Sequence, residues 1–444
     1  MSKGILIVLF SLLFSYRGDL ISYEYKEYES ANDVQIELDT SDAEILGPNA
    51  IYDIKLYSIV YETIDQFGNI TLASGSICIP DASEYSFPIY LFGHGTEIKR
   101  SSAPSMKGLN VLNRWVATSG YIFIEPDYLG LGVSEILHPY HLKDVTASSM
   151  IDMIYASKQF CRQLGTILYN NQLFIAGYSE GGYAVMSAVK EIEENYDDID
   201  ITISFPMAGA YDLSGTMVDL MLSEIPYADP FYLPFFVLSY IEKYDLGTLE
   251  SFFDIQYVSI LPELFSGIHS GGYINDFLPE IPIHMMLPEM VEDFKNDPNF
   301  PFKLYLEEND LTNWVPQNQM YIFHGVADER VPYDNSVVAY NNFVVNGAQN
   351  NVYFELLDES YGGHEGAAPF CLIQAFNISE EVKEICLIGD VNFDNTLNVI
   401  DIIYLIDLII EEIYMDDTLS CKPDVNNDNI LNIFDIILLV EKIL

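Results

Sequence analysis

The sequence predicts an α/β fold in three layers, a mostly parallel sheet between helices. A helical insertion interrupts the sheet, and a small all-α module follows it. Three observations carry this reading. From Pro88 onward, short continuous apolar runs alternate with helical patterns, as strands of a parallel sheet buried on both faces do. Residues 206–319 break the alternation where one crossover helix would suffice. Residues 387–444 carry an internal repeat of a different texture, the mark of a separate module.

In chain order, residues about 20–50 are acidic and Tyr-rich and read as a lead-in segment. The alternating runs Ile54–Tyr61 and Ile70–Ile79 flank Asp65-Gln-Phe-Gly-Asn69, which predicts a β-hairpin and an antiparallel edge to the sheet. The buried strands are Ile89–Phe92, Tyr121–Ile124, Leu173–Ala176, Ile201–Phe205, Met320–Phe323 and Val352–Leu356, with helical patterns near 106–118, 142–164, 180–195 and 333–346. The insertion, about 211–316, is rich in Phe, Tyr, Leu, Met and Pro. It reads as a helical cap walling off an apolar pocket, or as a subdomain that simply packs on the sheet. The main domain then spans 19–386 and the final module 387–444.

Composition narrows the partners. The 444 residues hold 67 acidic against 19 basic side chains, a formal charge of −48, which repels nucleic acid and anionic membranes. A solvated acidic surface suited to a saline habitat explains most of these carboxylates. Half the residues are hydrophobic and 14% aromatic, enough for well-packed cores. Lys3 followed by the apolar run Gly4–Ser15 reads as a secretory signal peptide over 1–18, too short to span a bilayer. No later stretch looks membrane-spanning, so an extracellular or cell-surface location is expected. Of the five cysteines, Cys386 and Cys421 stand in similar places ahead of the two repeats and are the expected pair.

The chemistry centres on Phe174–Ala176 running into Gly177-Tyr178-Ser179-Glu180-Gly181-Gly182, with a helix-forming stretch directly after. Strand, sharp turn and helix place a serine where its neighbours' side chains would collide, and Gly177 and Gly181 relieve the crowding. A serine hydroxyl needs a base and a carboxylate that orients it. His364 lies in the Gly-rich stretch 360–366 after the last strand, and Asp328 follows the strand ending at Phe323. The order Ser179, Asp328, His364 is the one expected when nucleophile, acid and base follow successive strands. Two backbone N–H groups must also face the developing negative charge. Glu180 supplies one. Thr96, in Gly93-His94-Gly95-Thr96, is the favoured second, ahead of Gly95, and His94 reads as structural. The run Pro126–Gly132 lines the pocket or forms a tight structural turn.

Over residues 85–376 these motifs, together with His138-Pro-Tyr140, Trp314-Val-Pro316 and His324-Gly-x-x-Asp328, resemble the α/β-hydrolase fold and its secretory lipase/esterase branch. That resemblance implies a Ser179–Asp328–His364 triad, a cap after the sixth strand and hydrolysis of carboxylic esters without a catalytic cofactor. The apolar cap points to substrates with apolar acyl groups. A serine peptidase or acyltransferase on the same fold, or an acetyl or feruloyl esterase acting on polysaccharides, are the alternatives.

The stretch 390–409 recurs at 424–443 with twelve identities in twenty aligned positions. Loop positions 1, 3, 5, 9 and 12 are Asp390, Asn392, Asp394, Asn398 and Asp401, then Asp424, Asn426, Asp428, Asn432 and Asp435. These are oxygen ligands at Ca²⁺-loop spacing, with the backbone carbonyls of Thr396 and Ile430 expected at position 7. Asn395 and Asn429 stand where glycine is usual, and Asn tolerates the left-handed turn. Metal binding is the expected source of stability for so small a core. The doublet closely resembles a type I dockerin, which implies two bound Ca²⁺ ions and docking onto a cohesin-like partner. The partner-choosing positions are Val399-Ile400 and Ile433-Phe434, more apolar than the hydroxylic pairs often found there.

Overall fold

The computed structural model describes residues 17–40, 50–165, 168–411, 423–426, 428 and 430–444. The expected signal peptide lies outside them except for Arg17 and Gly18, as do Cys421 and Asn429.

Ten strands form one sheet: β1 Leu20–Glu29, β2 Ile54–Ile64, β3 Ile70–Pro80, β4 Tyr85–Gly93, β5 Ile122–Pro126, β6 Leu168–Tyr178, β7 Ile203–Met207, β8 Met320–Gly325, β9 Val352–Leu357 and β10 Cys386–Leu387. Their order is β1-β2-β3-β5-β4-β6-β7-β8-β9, with β10 pairing the start of β4. From β5 to β9 neighbours are parallel, whereas β1, β2, β3 and β5 pair antiparallel. The expected hairpin is thus the β2–β3 pair.

Layering follows from the two-residue period of a strand. Ile89 and Leu91 of β4 join the core shared with helices Lys143–Leu164 and Glu180–Asn195, while Tyr90 and Phe92 join the core of the opposite face. That second face is closed by Trp115 of helix Val111–Thr118 and Phe376 of helix His364–Val382, whose rings lie 4.3 Å apart.

Residues 20–50 are more than a lead-in. Leu20–Glu29 is the edge strand β1, and Ala31–Thr40 is a helix that buries Val34 and Leu38. Almost the whole of β1 is exposed on both faces, so it lacks the apolar alternation that would announce a strand. Just before it, the Gly18 N–H donates to the Glu62 carbonyl at 2.7 Å, and Arg17 pairs at 2.9 Å with the buried Asp152.

Between β7 and β8 the chain folds into the cap, a series of short helices around the longer Tyr232–Tyr244. Cap residues Phe235, Phe236, Tyr240 and Phe302 belong to the same apolar cluster as the sheet, so the insertion shares the main core.

After β10, helices Val399–Ile410 and Ile433–Ile443 pack around a small cluster of their own centred on Leu405 and Leu439. Each begins with a reciprocal cap, Asn398 with Asp401 and Asn432 with Asp435, which satisfies N–H groups that a helix start leaves unpaired. Cys386 is disulfide-bonded, and Cys78, Cys161 and Cys371 are buried free thiols.

Candidate active site

Ser179 sits between the end of β6 and helix Glu180–Asn195 with φ 62° and ψ −124°, a conformation that costs a non-glycine residue on the order of 1–3 kcal/mol. Its N–H donates to the Met207 carbonyl at 3.0 Å, which helps hold the turn. The glycines are obligatory. A Cβ on Gly181 would stand 1.9 Å from the Gly93 oxygen, and one on Gly177 would stand 2.3 Å from the Gly181 oxygen. Gly182 is equally constrained, its Cβ position lying 2.2 Å from the Met207 oxygen.

His364 Nε2 lies 2.9 Å from Ser179 Oγ, and its Nδ1 lies 2.6 Å from Asp328 Oδ2. His364 is the first residue of helix His364–Val382 rather than a loop residue. Its N–H donates to Glu329 at 3.0 Å, and its carbonyl accepts from the Tyr178 hydroxyl at 2.7 Å. Asp328 Oδ1 accepts from the N–H groups of Arg330 and Val331 at 3.0 and 2.8 Å. The carboxylate can only accept, so His364 donates from Nδ1 and turns the Nε2 lone pair towards the serine hydroxyl. Burial alone would raise the Asp328 carboxyl, yet its hydrogen bonds with His324 and His364 hold it well below the usual carboxylate range.

His324 is fully buried and lies 3.2 Å from Asp328 Oδ2. Its Nε2 donates to the Val331 carbonyl at 2.8 Å, which leaves Nδ1 to accept from Ser336 at 2.7 Å. Sequence reasoning passed over this histidine, although it stands four residues before Asp328 in the same motif.

The Glu180 amide is the first N–H of its helix and has no intrahelical acceptor. Gly95 passes close enough that its Cβ position lies 4.0 Å from Ser179 Cβ. Thr96, Ser179 and His364 line one cleft of about 320 Å³, with Glu97, Lys107 and Asn110 at its polar wall. The Thr96 hydroxyl is bonded to the Tyr140 hydroxyl at 3.0 Å. His94 is no base: its nitrogens face the carbonyls of Gly95 and Asp127 at 2.7 and 3.2 Å. The Pro126–Gly132 run is a structural turn. Tyr128, Gly130 and Gly132 have positive φ, and Asp127 is buried against Ser74 and Ser105.

A second, small cavity of about 30 Å³ lies beside Ser179 between Tyr140, Met217, Tyr232 and Phe236. It shares Met217 and Phe236 with a neighbouring cavity of about 30 Å³, which in turn shares Met221 and Leu233 with a third of about 30 Å³. Arg330 borders both the cleft and the first of these cavities. It pairs with Asp229 of the cap at 2.6 Å and with Glu365 beside His364.

No protein-family model matches the chain, and none of the curated proteins does. Solved structures do match. A Legionella pneumophila protein designated a hydrolase superposes with a TM-score of 0.73 at 27% identity, covering 85% of this chain and 100% of its own. The rice cell wall degrading esterase LipA from Xanthomonas oryzae gives 0.72 at 25% identity over 83% of this chain and 98% of its own. Candida antarctica lipase A gives 0.60 at 16% identity, over 82% of each chain. The chain has the α/β-hydrolase fold. The C-terminal repeats, residues 390–409 and 424–443, carry a second candidate site.

Those repeats form two similar loops. Asp390 accepts from the Asn395 N–H at 2.7 Å, Asp394 from Thr396 at 2.8 Å, and the buried Asp401 from Val391 and Asn398 at 3.0 and 2.8 Å. In the second loop Asp428 accepts from Ile430 at 2.8 Å, Asp424 from Asp428 at 3.2 Å, and Asp435 from Val425 and Asn432 at 3.0 and 2.8 Å. Asn392 and Asn426 each donate to the Asp two residues on. The carbonyls of Thr396 and Ile430 accept from Asn398 and Asn432. Among the described residues, no three His, Cys, Asp or Glu side chains form a ready-made metal cluster. The donor chemistry nonetheless fits Ca²⁺: all positions offer hard oxygen, and Asn395 takes the expected left-handed turn at φ 60°.

Proposed function

We propose that the chain is a secreted serine hydrolase that cleaves carboxylic esters through an acyl-enzyme. The observation that carries this reading is His364 bridging Asp328 and Ser179 at 2.6 and 2.9 Å, with the lone pair on the serine side. His364 takes the Ser179 proton as Oγ attacks the ester carbonyl. The amides of Thr96 and Glu180 hold the oxyanion, and His364 returns the proton to the departing alcohol. Water, activated by the same histidine, then hydrolyses the acyl-enzyme. The apolar residues that line the three small cavities of the cap suit an apolar acyl chain, and the open polar cleft suits the alcohol.

That division of the site also supports a second reading, an esterase acting on acylated polysaccharides, since the cleft wall of Glu97, Lys107 and Asn110 offers hydrogen-bonding groups to a sugar. A panel of p-nitrophenyl esters from acetate to palmitate, with feruloyl and peptide substrates alongside, tests both. Preference for chains of about eight carbons or more favours a lipase, and activity confined to acetate or feruloyl esters favours the glycan reading. Ser179→Ala is expected to abolish turnover while the protein still folds, and retained hydrolysis would sink the mechanism.

The C-terminal loops support a dockerin-like role. Asp390, Asn392, Asp394, Asn398, Asp401 and the Thr396 carbonyl would hold one Ca²⁺. Asp424, Asn426, Asp428, Asn432, Asp435 and the Ile430 carbonyl would hold a second. The ions would supply stability rather than chemistry. Val399, Ile400, Ile433 and Phe434 are 60%, 49%, 63% and 63% exposed, an apolar surface suited to a cohesin-like partner that tethers the enzyme. No helix among the described residues is long and apolar enough to cross a membrane.

A further inference from the structure

Two buried polar atoms beside Ser179 have no hydrogen-bond partner among the described residues. Glu180 is 4% exposed, and its Oε1 accepts from His138 Nε2 at 2.6 Å while Oε2 accepts from none of them. His141 is also 4% exposed, and its Nδ1 is unpartnered. Both residues line the same small cavity of about 30 Å³, which Ser179 also lines, with room for a hydroxyl-sized group. Native proteins leave few buried polar atoms unpaired, and those they leave tend to have a use.

His141 is held in place at a cost. Its backbone has φ 52°, unusual for a residue other than glycine, and the hydroxyls of Tyr183 and Tyr240 donate to its carbonyl at 3.2 and 3.1 Å. Its ring stacks on Phe236 at 4.7 Å. Burial pushes the imidazole down to about 3, against the opposing pull of Glu180, so the ring is neutral and offers one N–H or one lone pair at Nδ1.

We propose that Glu180 Oε2 and His141 Nδ1 form a hydroxyl-recognition pair in the acyl cavity, so that the preferred substrates are esters of hydroxylated aliphatic acids. The proposal rests on the ester-hydrolase reading of the site. A carboxylate oxygen only accepts, so it calls for a donor that a plain acyl chain lacks. His138 Nε2 already occupies Oε1 of Glu180, which leaves one oxygen free and suits the single donor of a hydroxyl better than the three of an ammonium group. Glu180 directly follows the nucleophile, which puts the recognised hydroxyl within a few carbons of the scissile carbonyl. Beyond it, Leu220, Met221, Leu233 and Pro282 wall a further small cavity, an apolar surface suited to the remainder of the chain.

The test uses the full-length protein with methyl octanoate, 2-hydroxyoctanoate and 3-hydroxyoctanoate as competing substrates, the released acids being quantified by chromatography. The better hydroxylated ester is expected to exceed the plain one in kcat/KM by roughly 10- to 100-fold. Glu180→Gln, which keeps an oxygen for His138 but turns a donor to the cavity, and His141→Leu should each bring that ratio to within about threefold of one, whatever happens to the absolute rates. A wild-type ratio near one overturns the proposal, and a high ratio that persists in both variants overturns the residues assigned. If none of the three esters is cleaved, the ester-hydrolase reading itself fails. The hydroxyl question is then decided by titrating Ser179→Ala with octanamide and its 2- and 3-hydroxy forms. Tighter binding of a hydroxylated amide supports the proposal, and equal binding refutes it.

Discussion

Replacing Asp328 with Asn exchanges one carboxylate oxygen for an NH₂ group and sets the protonation of the whole triad. The N–H groups of Arg330 and Val331 both donate to Oδ1, so the amide oxygen of Asn must occupy that position. Its NH₂ then replaces Oδ2, facing His364 Nδ1 from 2.6 Å and His324 Nε2 from 3.2 Å. To avoid opposing two N–H groups, His364 must accept at Nδ1 and carry its proton on Nε2. The lone pair that should receive the Ser179 proton is then gone. Where this tautomer inversion has occurred in serine hydrolases, kcat falls about 10⁴-fold, or about 5 kcal/mol of barrier. The second clash, with His324, should lower stability as well. Initial rates on a p-nitrophenyl ester, with a melting curve to confirm folding, measure both. A folded Asp328→Asn variant that keeps more than about a tenth of the wild-type kcat would refute the assignment of Asp328 and the tautomer argument with it.

Other perturbations test separate parts of the molecule. Gly181→Ala places a methyl group where only 1.9 Å separates it from the Gly93 oxygen, so kcat should fall by about 100-fold or more, and undiminished turnover would contradict the geometry of the turn. Burial pushes the Glu125 carboxyl up to about 8, with Ser76 pulling the other way. Its folded value exceeds the unfolded one, so its contribution to stability is full below the ordinary carboxylate range and is lost as pH rises towards about 8. Glu125→Gln should therefore match the parent near about pH 4 and melt several degrees higher near about pH 9, whereas parallel curves would assign the loss to another group. In calorimetry, EDTA should remove the transition of the C-terminal module and leave the main domain unchanged, and an indifferent thermogram would argue against Ca²⁺ in both loops.

Legibility in the sequence followed burial. Strands β4, β6 and β8 are buried on both faces or nearly so, and their apolar runs stand out against polar surroundings. The edge strand β1 makes its ladder to β2 through backbone groups while its Tyr and Glu side chains face solvent, so no pattern marks it. Helix His364–Val382 hides for another reason. It opens after Gly362-Gly363 and contains Pro369, residues that ordinarily argue for a loop. Ser179, Asp328 and His364 were readable because each has its own local context: a turn with glycines on both sides, a strand end, and a Gly-rich stretch after β9 that opens a helix.

Local chain chemistry alone thus pointed to Ser179, Asp328 and His364. A serine with glycines two residues away on each side, between an apolar strand and a helix, fits a sharp turn, and a parallel α/β order brings three such strand ends to one edge. The partners of those residues were decided by folding. His138 takes one oxygen of Glu180, 42 positions away, and His141 stacks on a cap residue 95 positions away, Phe236. Neither contact has a fixed spacing along the chain. His324 does stand four residues from Asp328, yet only the fold shows that it reaches the carboxylate. Such contacts arise because desolvated polar atoms take whichever neighbour the packed core provides.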